Sequence, residues 1–241
     1  MKIKVLSFDF DGTLVYPVVK TEDIYFTVFK DYISFFDIIN GIEAFESDYL
    51  LSNPELKRSF RSLGRFNAEE RKKLYYQWNE ERIKFMFPSF TNEQCMDKLE
   101  EVMDLMKKNQ SLKLYPDILE SINYFKGLDL SLFILSGNNR TFINDFLEKN
   151  KLQNVFKDIL TPDFLQVEKK DIFPFYKKNG FALEEIIHVG DDPELDYHTP
   201  KSLGINALWL KRKNSRYLDS SIPKNHVINS LSDLKERIDT A

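Results

Sequence analysis

The sequence predicts an α/β fold, in which a parallel sheet carries helices on both faces and an all-helical segment is inserted near the start. Three observations predict this fold. The 241-residue chain opens with an apolar, β-prone run at 2–8 that ends in acidic residues. Helix signals without a convincing strand then extend over about 15–111. From about 112 onward, short apolar strands alternate with helical stretches, as in Rossmann-like folds.

The first predicted strand ends in two carboxylates. Asp9 and Asp11 follow the apolar run, and side chains alternate along a strand, so the two acidic groups share a face. Like charges at this spacing repel each other unless a proton or a cation lies between them. Gly12 then allows a sharp turn of the backbone. Taken alone, the pattern also fits two solvated side chains at a strand end.

The inserted segment is predicted to be helical throughout. Three helix starts are marked by capping residues; in chain order they are Asn53-Pro54-Glu55, Asn67-x-x-Glu70 and Thr91-x-x-Gln94. The aromatic stretch 24–39 is predicted to form a helix that is hydrophobic nearly all round. We interpret its aromatic side chains as core rather than as a binding surface.

The second half of the chain alternates between strands and helices. Strands are predicted at 130–135, 155–160, 185–189 and 206–210, with a short one at 226–228. The predicted helices lie at about 117–126, 142–147, 171–179, 195–203 and 231–238.

Polar residues follow several of these strands. In addition to the two carboxylates, Ser136-Gly137-Asn138 and Gly190-Asp191-Asp192 each come directly after an apolar strand. Ligands of open α/β sheets bind beyond the carboxyl ends of the parallel strands. We therefore expect these groups to converge on one crevice.

Composition excludes several classes of function. The formal net charge of −4 does not favour a nucleic acid or a membrane surface as partner. The single cysteine, Cys95, rules out an intramolecular disulfide and a cysteine-built metal site. No apolar run reaches the roughly 18 residues of a membrane span. These observations predict a cytoplasmic protein.

Four groups of residues together resemble the motifs of the haloacid dehalogenase-like (HAD) hydrolases. They are, in chain order, Asp9-Phe10-Asp11-Gly12-Thr13-Leu14, Leu135-Ser136-Gly137-Asn138, Lys169-Lys170, and Val189-Gly190-Asp191-Asp192 with Asp196. The resemblance covers the whole chain. It implies a Rossmann-like catalytic core at 1–14 and 112–241 and a helical cap domain at 15–111, which opens and closes over the crevice.

The resemblance also implies catalytic roles. Asp9 would be the nucleophile that forms an aspartyl-phosphate, and Asp11 would be the general acid and then the general base. An Asp9 oxygen, the backbone carbonyl of Asp11 and Asp191 would bind Mg²⁺. Dehalogenases of the family lack the second acid, so Asp11 favours phosphoryl transfer.

Phosphate binding is implied for a second set of groups. Ser136 ends a strand immediately before a helix, and its hydroxyl with the amides of Gly137 and Asn138 would hold phosphoryl oxygens. A lysine would complete the site. Lys169 is favoured over Lys170, although the Lys-Pro-Asp or Lys-Arg-Asp pattern usual in the family is absent here.

Several residues keep alternative interpretations. Asp192 and Asp196 could orient the lysine or support the metal site, or they could be solvated or cap a helix. His188 is interpreted as a packed core residue and His198 as exposed. The basic run 211–216 is interpreted as a solvated loop, with steering of an anionic substrate as the alternative.

The sequence therefore predicts a Mg²⁺-dependent phosphatase that acts on a small phosphorylated metabolite, as a monomer or homodimer. Three alternatives stay open: a phosphotransferase or phosphomutase on the same scaffold, a 2-haloacid dehalogenase, and a non-catalytic binding module.

Overall fold

The computed structural model describes residues 2–56, 68–213, 215, 217 and 219–239. The chain divides into two compact units, one formed by Met1–Tyr16 with Leu114–Ala241 and the other by Pro17–Lys113.

The first unit contains a six-stranded sheet in which every neighbouring pair is parallel. The strands are β1 (Val5–Phe8), β4 (Ser131–Leu135), β5 (Asp158–Leu160), β6 (Ile186–Gly190), β7 (Asn206–Leu210) and β8 (Val227–Ile228). Their order in the sheet is β5-β4-β1-β6-β7-β8. The order confirms the predicted fold class, and it places the first strand in the middle of the sheet.

All residues of β1 and β6 are buried, which explains why these strands are apolar runs rather than alternating patterns. Three longer helices belong to this unit: α5 (Ile118–Lys126), α6 (Arg140–Lys149) and α7 (Asp233–Asp239). Side chains of the sheet and of the segment 172–183 form a shared core around Phe133, Phe173 and Tyr176.

Two predicted helices of this unit are shorter and irregular. The region 171–179 forms a 3₁₀ turn, Lys169–Asp171, and a helix, Phe175–Lys178, with Pro174 between them. The region 195–203 forms a π-helical turn, Pro193–His198, followed by Thr199–Ser202. Each contains a proline, which fixes φ and lacks the N–H that a regular helix needs.

The second unit is built from helices: α1 (Thr21–Phe29), α2 (Phe35–Ala44), α3 (Ala68–Met86) and α4 (Asn92–Lys108). A π-helical stretch, Phe45–Tyr49, and one further turn, Leu50–Ser52, extend α2. The helices share a core that includes Tyr25, Phe29 and Ile83. The capping box at the start of α4 is present, because Thr91 and Gln94 each accept the other's backbone N–H. Asn67, in the other predicted capping box, lies outside the described residues.

The prediction of one continuous helix over 24–39 is wrong, because the chain breaks between α1 and α2. Ser34 starts α2 by accepting the backbone N–H of Asp37, as an N-cap does. The break also separates the aromatic residues by environment. Tyr25 and Phe29 are fully buried, whereas Phe36 is 70% exposed.

A two-stranded sheet interrupts the predicted all-helical segment at its two ends. It consists of β2 (Val15–Pro17) and β3 (Leu112–Leu114). Backbone bonds from Tyr115 N to Leu14 O and from Val18 N to Ser111 O show that the strands are antiparallel. Strands of three residues are too short for an alternating pattern to predict them.

No helix among the described residues is both long and apolar enough to cross a membrane.

Candidate active site

The candidate site lies at the carboxyl ends of β1, β4 and β6, three neighbouring strands in the middle of the sheet. Asp9 follows β1 directly, Ser136 follows β4, and Asp191 follows β6. Because parallel strands end at the same edge, residues from distant parts of the sequence meet there.

A buried lysine joins two of the carboxylates. The Nζ of Lys169 lies 2.6 Å from Asp9 Oδ1 and 2.9 Å from Asp196 Oδ1. The lysine side chain is 8% exposed, and the two carboxylates are buried as well. Lys170, the alternative considered from the sequence, instead pairs with Glu168 and is largely exposed. The structure therefore brings Lys169 and not Lys170 to the site.

Three carboxylates form a cluster that could hold a metal ion. One oxygen from each of Asp9, Asp191 and Asp196 lies within 4.8 Å of the other two. Hard divalent cations such as Mg²⁺ and Ca²⁺ prefer carboxylate and carbonyl oxygens. The donor set at this edge therefore fits such a cation. Asp196 is a carboxylate of this cluster that the predicted metal site does not include; the predicted contribution of Asp11 is a backbone carbonyl rather than a carboxylate.

The charges of the cluster are unbalanced, with one lysine among three carboxylates. Burial raises the pKa of Asp9 well above its usual value, and the neighbouring Asp196 and Asp191 raise it further against the opposing charge of Lys169. Burial also acts to raise the pKa of Asp196, but Lys169 and the hydrogen bond from His188 hold that pKa below its usual range. A second positive charge near Asp9 would relieve the imbalance.

Lys169 stays protonated in this setting. Burial alone would lower its pKa, but the charges of Asp196 and Asp9 and their hydrogen bonds raise it well above the usual value. A permanent ammonium group therefore faces Asp9.

Asp11 is exposed at the rim of the site, unlike the buried Asp9. Its Oδ2 accepts a hydrogen bond of 3.0 Å from Asn138 Nδ2. Although the residue is exposed to solvent, many protein atoms surround its carboxyl group; this desolvation raises the pKa of Asp11, while Asn138 and Lys169 lower it. The raised pKa favours a carboxyl group that can carry a proton, which a general acid needs.

The loop after β4 differs from its prediction, because the helix does not follow Ser136 immediately. Asn139 caps α6 by accepting the backbone N–H groups of Thr141 and Phe142. The N–H of Arg140 donates to Asp163. These groups satisfy the start of α6, so the helix end is not an open phosphate site.

The Ser136 hydroxyl and the Asn138 amide are joined to each other. Asn138 N donates to Ser136 Oγ at 3.1 Å, and the serine is buried. Because Ser136 Oγ accepts this bond, its own hydrogen can donate to a ligand. Gly137 lies between them in the same loop.

Asp192 and Asp196 have different environments. Asp192 caps the short turn that follows β6, since its Oδ1 accepts the backbone N–H groups of Glu194 and Leu195. Asp196 is fully buried and contacts Lys169 and His188. The helix-capping interpretation thus describes Asp192, and the lysine-contacting interpretation describes Asp196.

Two glycines make close approaches possible at the site. Gly12 has φ +76°, and a Cβ placed on it would lie 2.4 Å from Asp191 Oδ2. A Cβ on Gly190 would lie 2.3 Å from Asp196 Cγ. The carboxylates of Asp191 and Asp196 thus occupy the space that a side chain at position 12 or 190 would need.

The sequence did not predict the hydrogen bonds between two polar residues behind the site, His188 and Ser7. His188 is buried and packs against Phe173, as predicted for a core residue, but both of its ring nitrogens are hydrogen-bonded. One of them contacts Ser7, its partner in the register of β1 and β6. The available signal was a polar residue inside each of two apolar strands.

Two other polar predictions have clear outcomes. His198 is partly exposed and pairs with Asp219, 2.8 Å away. In the basic run 211–216, the solvated-loop interpretation is wrong for Arg212, whose side chain is 10% exposed and contacts both carboxylate oxygens of Asp117. Asn214 and Arg216 lie outside the described residues.

Comparison with known proteins gives a family match over most of the chain. A sequence profile described as haloacid dehalogenase-like hydrolase matches residues 6–210.

Two curated relatives are similar over part of the chain. A zebrafish (Danio rerio) protein named haloacid dehalogenase-like hydrolase domain-containing protein 3 is 27% identical over 132 residues, 54% of this chain and 54% of the relative. An (S)-2-haloacid dehalogenase of Pseudomonas putida is 22% identical over 123 residues, 50% of this chain and 54% of the relative. The chain thus aligns with about half the length of these curated relatives.

Solved structures share the fold along nearly the whole chain. The Bacillus subtilis HAD-hydrolase YfnB, crystallised bound to magnesium, superposes with a TM-score of 0.63 at 15% identity and covers 99% of both chains. Other structures of similar fold include phosphatases as well as dehalogenases.

Proposed function

The chain belongs to the haloacid dehalogenase-like hydrolases, and we propose that within this family it is a Mg²⁺-dependent phosphatase. Its substrate would be a small phosphorylated metabolite with a monoester bond. One observation carries the proposal most directly: Asp9 lies buried beside Lys169, and a second carboxyl, Asp11, stands two residues further on at the exposed rim.

Asp9 is the nucleophile in this proposal. One of its carboxylate oxygens attacks the phosphorus, the bond from phosphorus to the ester oxygen breaks, and an aspartyl-phosphate forms. In the second half of the reaction, water attacks the same phosphorus and the bond to Asp9 breaks. Inorganic phosphate leaves, and Asp9 regains its carboxylate.

Asp11 moves the proton in both halves. It gives a proton to the departing alcohol, and it later takes one from the attacking water. Its raised pKa and its position at the rim suit these two tasks. The hydrogen bond from Asn138 helps to orient the Asp11 carboxyl group.

Positive charge is needed because a carboxylate must approach a phosphate dianion. Lys169 supplies a permanent charge next to Asp9 and can also contact a phosphoryl oxygen. Ser136 can donate its hydroxyl hydrogen to a second phosphoryl oxygen, with the Gly137 amide and the Asn138 side chain nearby in the same loop.

The carboxylates of Asp9 and Asp191, with the backbone carbonyl of Asp11, would hold Mg²⁺. When bound, the ion offsets the negative charge of the carboxylates and the phosphoryl group. Asp196 is then free to balance Lys169, which it already contacts.

Dehalogenation is the second candidate, because two curated relatives are (S)-2-haloacid dehalogenases. Proton supply distinguishes the reactions. A departing halide needs no proton, whereas the alkoxide of a phosphate monoester does. Only phosphate monoester hydrolysis needs Asp11 as a proton donor to the leaving group, and this favours phosphatase activity.

The test is turnover of a generic phosphate monoester such as p-nitrophenyl phosphate. We expect activity with Mg²⁺ and none in Asp9→Asn, which keeps the size of the side chain while removing the nucleophilic charge. Asp129→Asn, at a carboxylate that is 99% exposed, is the matched control and should behave like wild type. Circular dichroism checks that both variants fold.

Two results would contradict the proposal. Full activity in Asp9→Asn would exclude the aspartyl-phosphate route. Halide release from 2-chloropropionate without added metal, with no phosphate release from a panel of metabolite phosphates, would favour the dehalogenase.

A further inference from the structure

A continuous chain of buried hydrogen bonds runs behind the candidate active site. Tyr176 Oη donates to Ser7 Oγ at 2.7 Å, and Ser7 Oγ lies 2.8 Å from Nδ1 of His188. The Nε2 atom of His188 lies 3.1 Å from Asp196 Oδ1. Asp196 contacts Lys169, and Lys169 contacts Asp9. Tyr176, Ser7, His188 and Asp196 have no solvent exposure at all.

The hydrogens of this chain can be assigned from its far end. Tyr176 has a single hydroxyl hydrogen and donates it to Ser7 Oγ. The hydrogen of Ser7 then has Nδ1 of His188 as its hydrogen-bonded acceptor. At the other end of the chain, the Asp196 carboxylate only accepts, so the ring hydrogen lies on Nε2, which faces it, and Nδ1 presents its lone pair to Ser7.

We propose that this chain, in which each group from Tyr176 to His188 donates a hydrogen bond to the next, holds His188 as the neutral Nε2–H tautomer. His188 thereby positions Asp196 and Lys169 behind Asp9. His188 is a positioning residue, since it contacts neither the substrate site nor Asp9. The consequence for turnover rests on the proposed function, whereas the tautomer does not.

The hydrogen bond from His188 is one of three that orient the carboxylate of Asp196. Its Oδ1 faces Lys169 and His188, and its Oδ2 accepts the backbone N–H of Asp192 at 3.1 Å. Three donors from three directions fix the plane of this carboxylate. Without the imidazole donor, Asp196 can turn, and the lysine would lose the second carboxylate that holds it beside Asp9.

The position of His188 in the sheet shows that packing alone does not account for it. Its strand neighbours Ile187 and Val189 are aliphatic, and a buried polar ring costs free energy unless its nitrogens are hydrogen-bonded. Both nitrogens are bonded here, and Ser7 occupies the matching position of the adjacent strand. Ser7 and His188 are thus a hydrogen-bonded pair, in register on two otherwise apolar strands.

The first experiment reads the tautomer directly. Long-range ¹H–¹⁵N correlation spectra of the full chain, without metal or substrate, distinguish the two neutral tautomers of histidine. The chain has only three histidines, so the spectrum of His188→Gln assigns the signal. We expect the Nε2–H form for His188. The Nδ1–H form would overturn the proposal, because the lone pair of Nε2 would then face the carboxylate.

The second experiment compares two replacements of the same ring. The amide nitrogen of His188→Gln can reach the place of Nε2 and donate to Asp196, whereas His188→Phe fills the space without a donor. Loss of a group that orients a site residue typically lowers activity by about 10- to 100-fold. We expect that loss in kcat for His188→Phe with little change in KM, and kcat within about threefold of wild type for His188→Gln.

Tyr176→Phe tests the far end of the chain. It removes the hydroxyl that donates to Ser7 but leaves the contacts of His188 with Ser7 and Asp196. We expect a lower Tm and a loss in kcat that is smaller than the loss in His188→Phe, because Ser7 can still donate to Nδ1 of His188. Equal kcat in folded His188→Phe and His188→Gln would overturn the positioning role. Should wild type hydrolyse no phosphate ester at all, the proposed function fails, and the tautomer measurement still tests the hydrogen-bond chain.

Discussion

Single residues at the candidate site are constrained by space as much as by charge. Gly12 is the clearest case, because its backbone has φ +76° and its missing Cβ leaves room for the carboxylate of Asp191. Either constraint alone would favour glycine. Together they tie the turn after β1 to the residue that follows β6.

Gly12→Ala tests the second constraint. We expect the variant to lose about 1 to 2 kcal/mol of unfolding free energy from its left-handed backbone, and to lose at least about tenfold in kcat/KM because Asp191 is displaced. Gly180→Ala is the matched control, since Gly180 has φ +81° and a Cβ added there would meet nothing within 4 Å. Both variants should show the stability loss in urea denaturation. If kcat/KM is the same in Gly12→Ala and Gly180→Ala, the contact between the added Cβ and Asp191 has no effect on activity, and the prediction is wrong.

The two adjacent lysines give a second contrast at this scale. Lys169→Met removes the charge beside Asp9, and kcat should fall by about 100- to 1,000-fold, the usual effect of deleting one group that stabilises transition-state charge. Lys170→Met should stay within about twofold, because Lys170 contacts Glu168 at the surface. Steady-state kinetics with a phosphate monoester measures both. Comparable losses in the two variants would contradict the assignment of Lys169.

At the scale of elements, Arg212 joins three segments that are far apart in the chain. Its Nη1 contacts both carboxylate oxygens of Asp117 at 2.8 Å, and its Nη2 donates to the backbone oxygen of Thr13 at 2.9 Å. The guanidinium also lies 4.0 Å from the ring centroid of Tyr115. Arg212 thus links the end of β7 to the start of α5 and to the turn after β1.

Arg212→Ala should therefore cost stability. Breaking a buried ion pair by removing one partner typically costs about 3 to 5 kcal/mol, and the slight exposure of this pair places the expectation at the lower end. Arg212→Lys should recover part of the loss, since one ammonium cannot make all the contacts. Lys213→Ala, at an exposed neighbour, should change the unfolding free energy by less than about 0.5 kcal/mol. Chemical denaturation that finds Arg212→Ala as stable as Lys213→Ala would refute the link.

The helices show one local pattern that predicts the structure and one that fails to predict it. The capping box of α4 was predicted from Thr91 and Gln94 because a cap is a contact between residues three apart. The break between α1 and α2 was not predicted, since the apolar pattern of 24–39 continues across it. Ser34, which starts α2, is an ordinary residue in that pattern until its contact with Asp37 is known.

For the whole molecule, the acidic cluster lowers the stability of the folded protein when no cation is bound. Asp9, Asp191 and Asp196 repel one another, and Lys169 offsets only part of their charge. A cation that binds only the folded protein stabilises it by about 2.7 kcal/mol at a hundredfold excess over its Kd. The protein should thus be less stable without a divalent ion than with one.

Thermal denaturation with EDTA and with added Mg²⁺ tests this expectation. For wild type, we expect a higher Tm with Mg²⁺, and loss of turnover on chelation that added Mg²⁺ restores. Asp191→Asn removes one negative charge, so without metal it should be at least as stable as wild type, but it should lose the response of Tm to Mg²⁺. A wild-type Tm that does not depend on Mg²⁺, together with turnover in EDTA, would exclude a metal-dependent mechanism.

The sequence by itself determined the fold class, the family and the residues that stand at the strand ends. These properties depend on local patterns, because apolar runs predict buried strands and the carboxyl ends of parallel strands meet at one edge. Asp9, Asp11, Ser136 and Asp191 could be named for this reason, and their catalytic roles stay predictions.

The tertiary structure alone decided which of these groups touch. Lys169 meets Asp9 across 160 positions of the chain, and Ser7 meets His188 across 181. Such contacts depend on the register between strands and on the exact course of turns, which no local pattern encodes. The same reason explains why the role of Arg212 and the buried chain behind Asp196 were visible only in the folded protein.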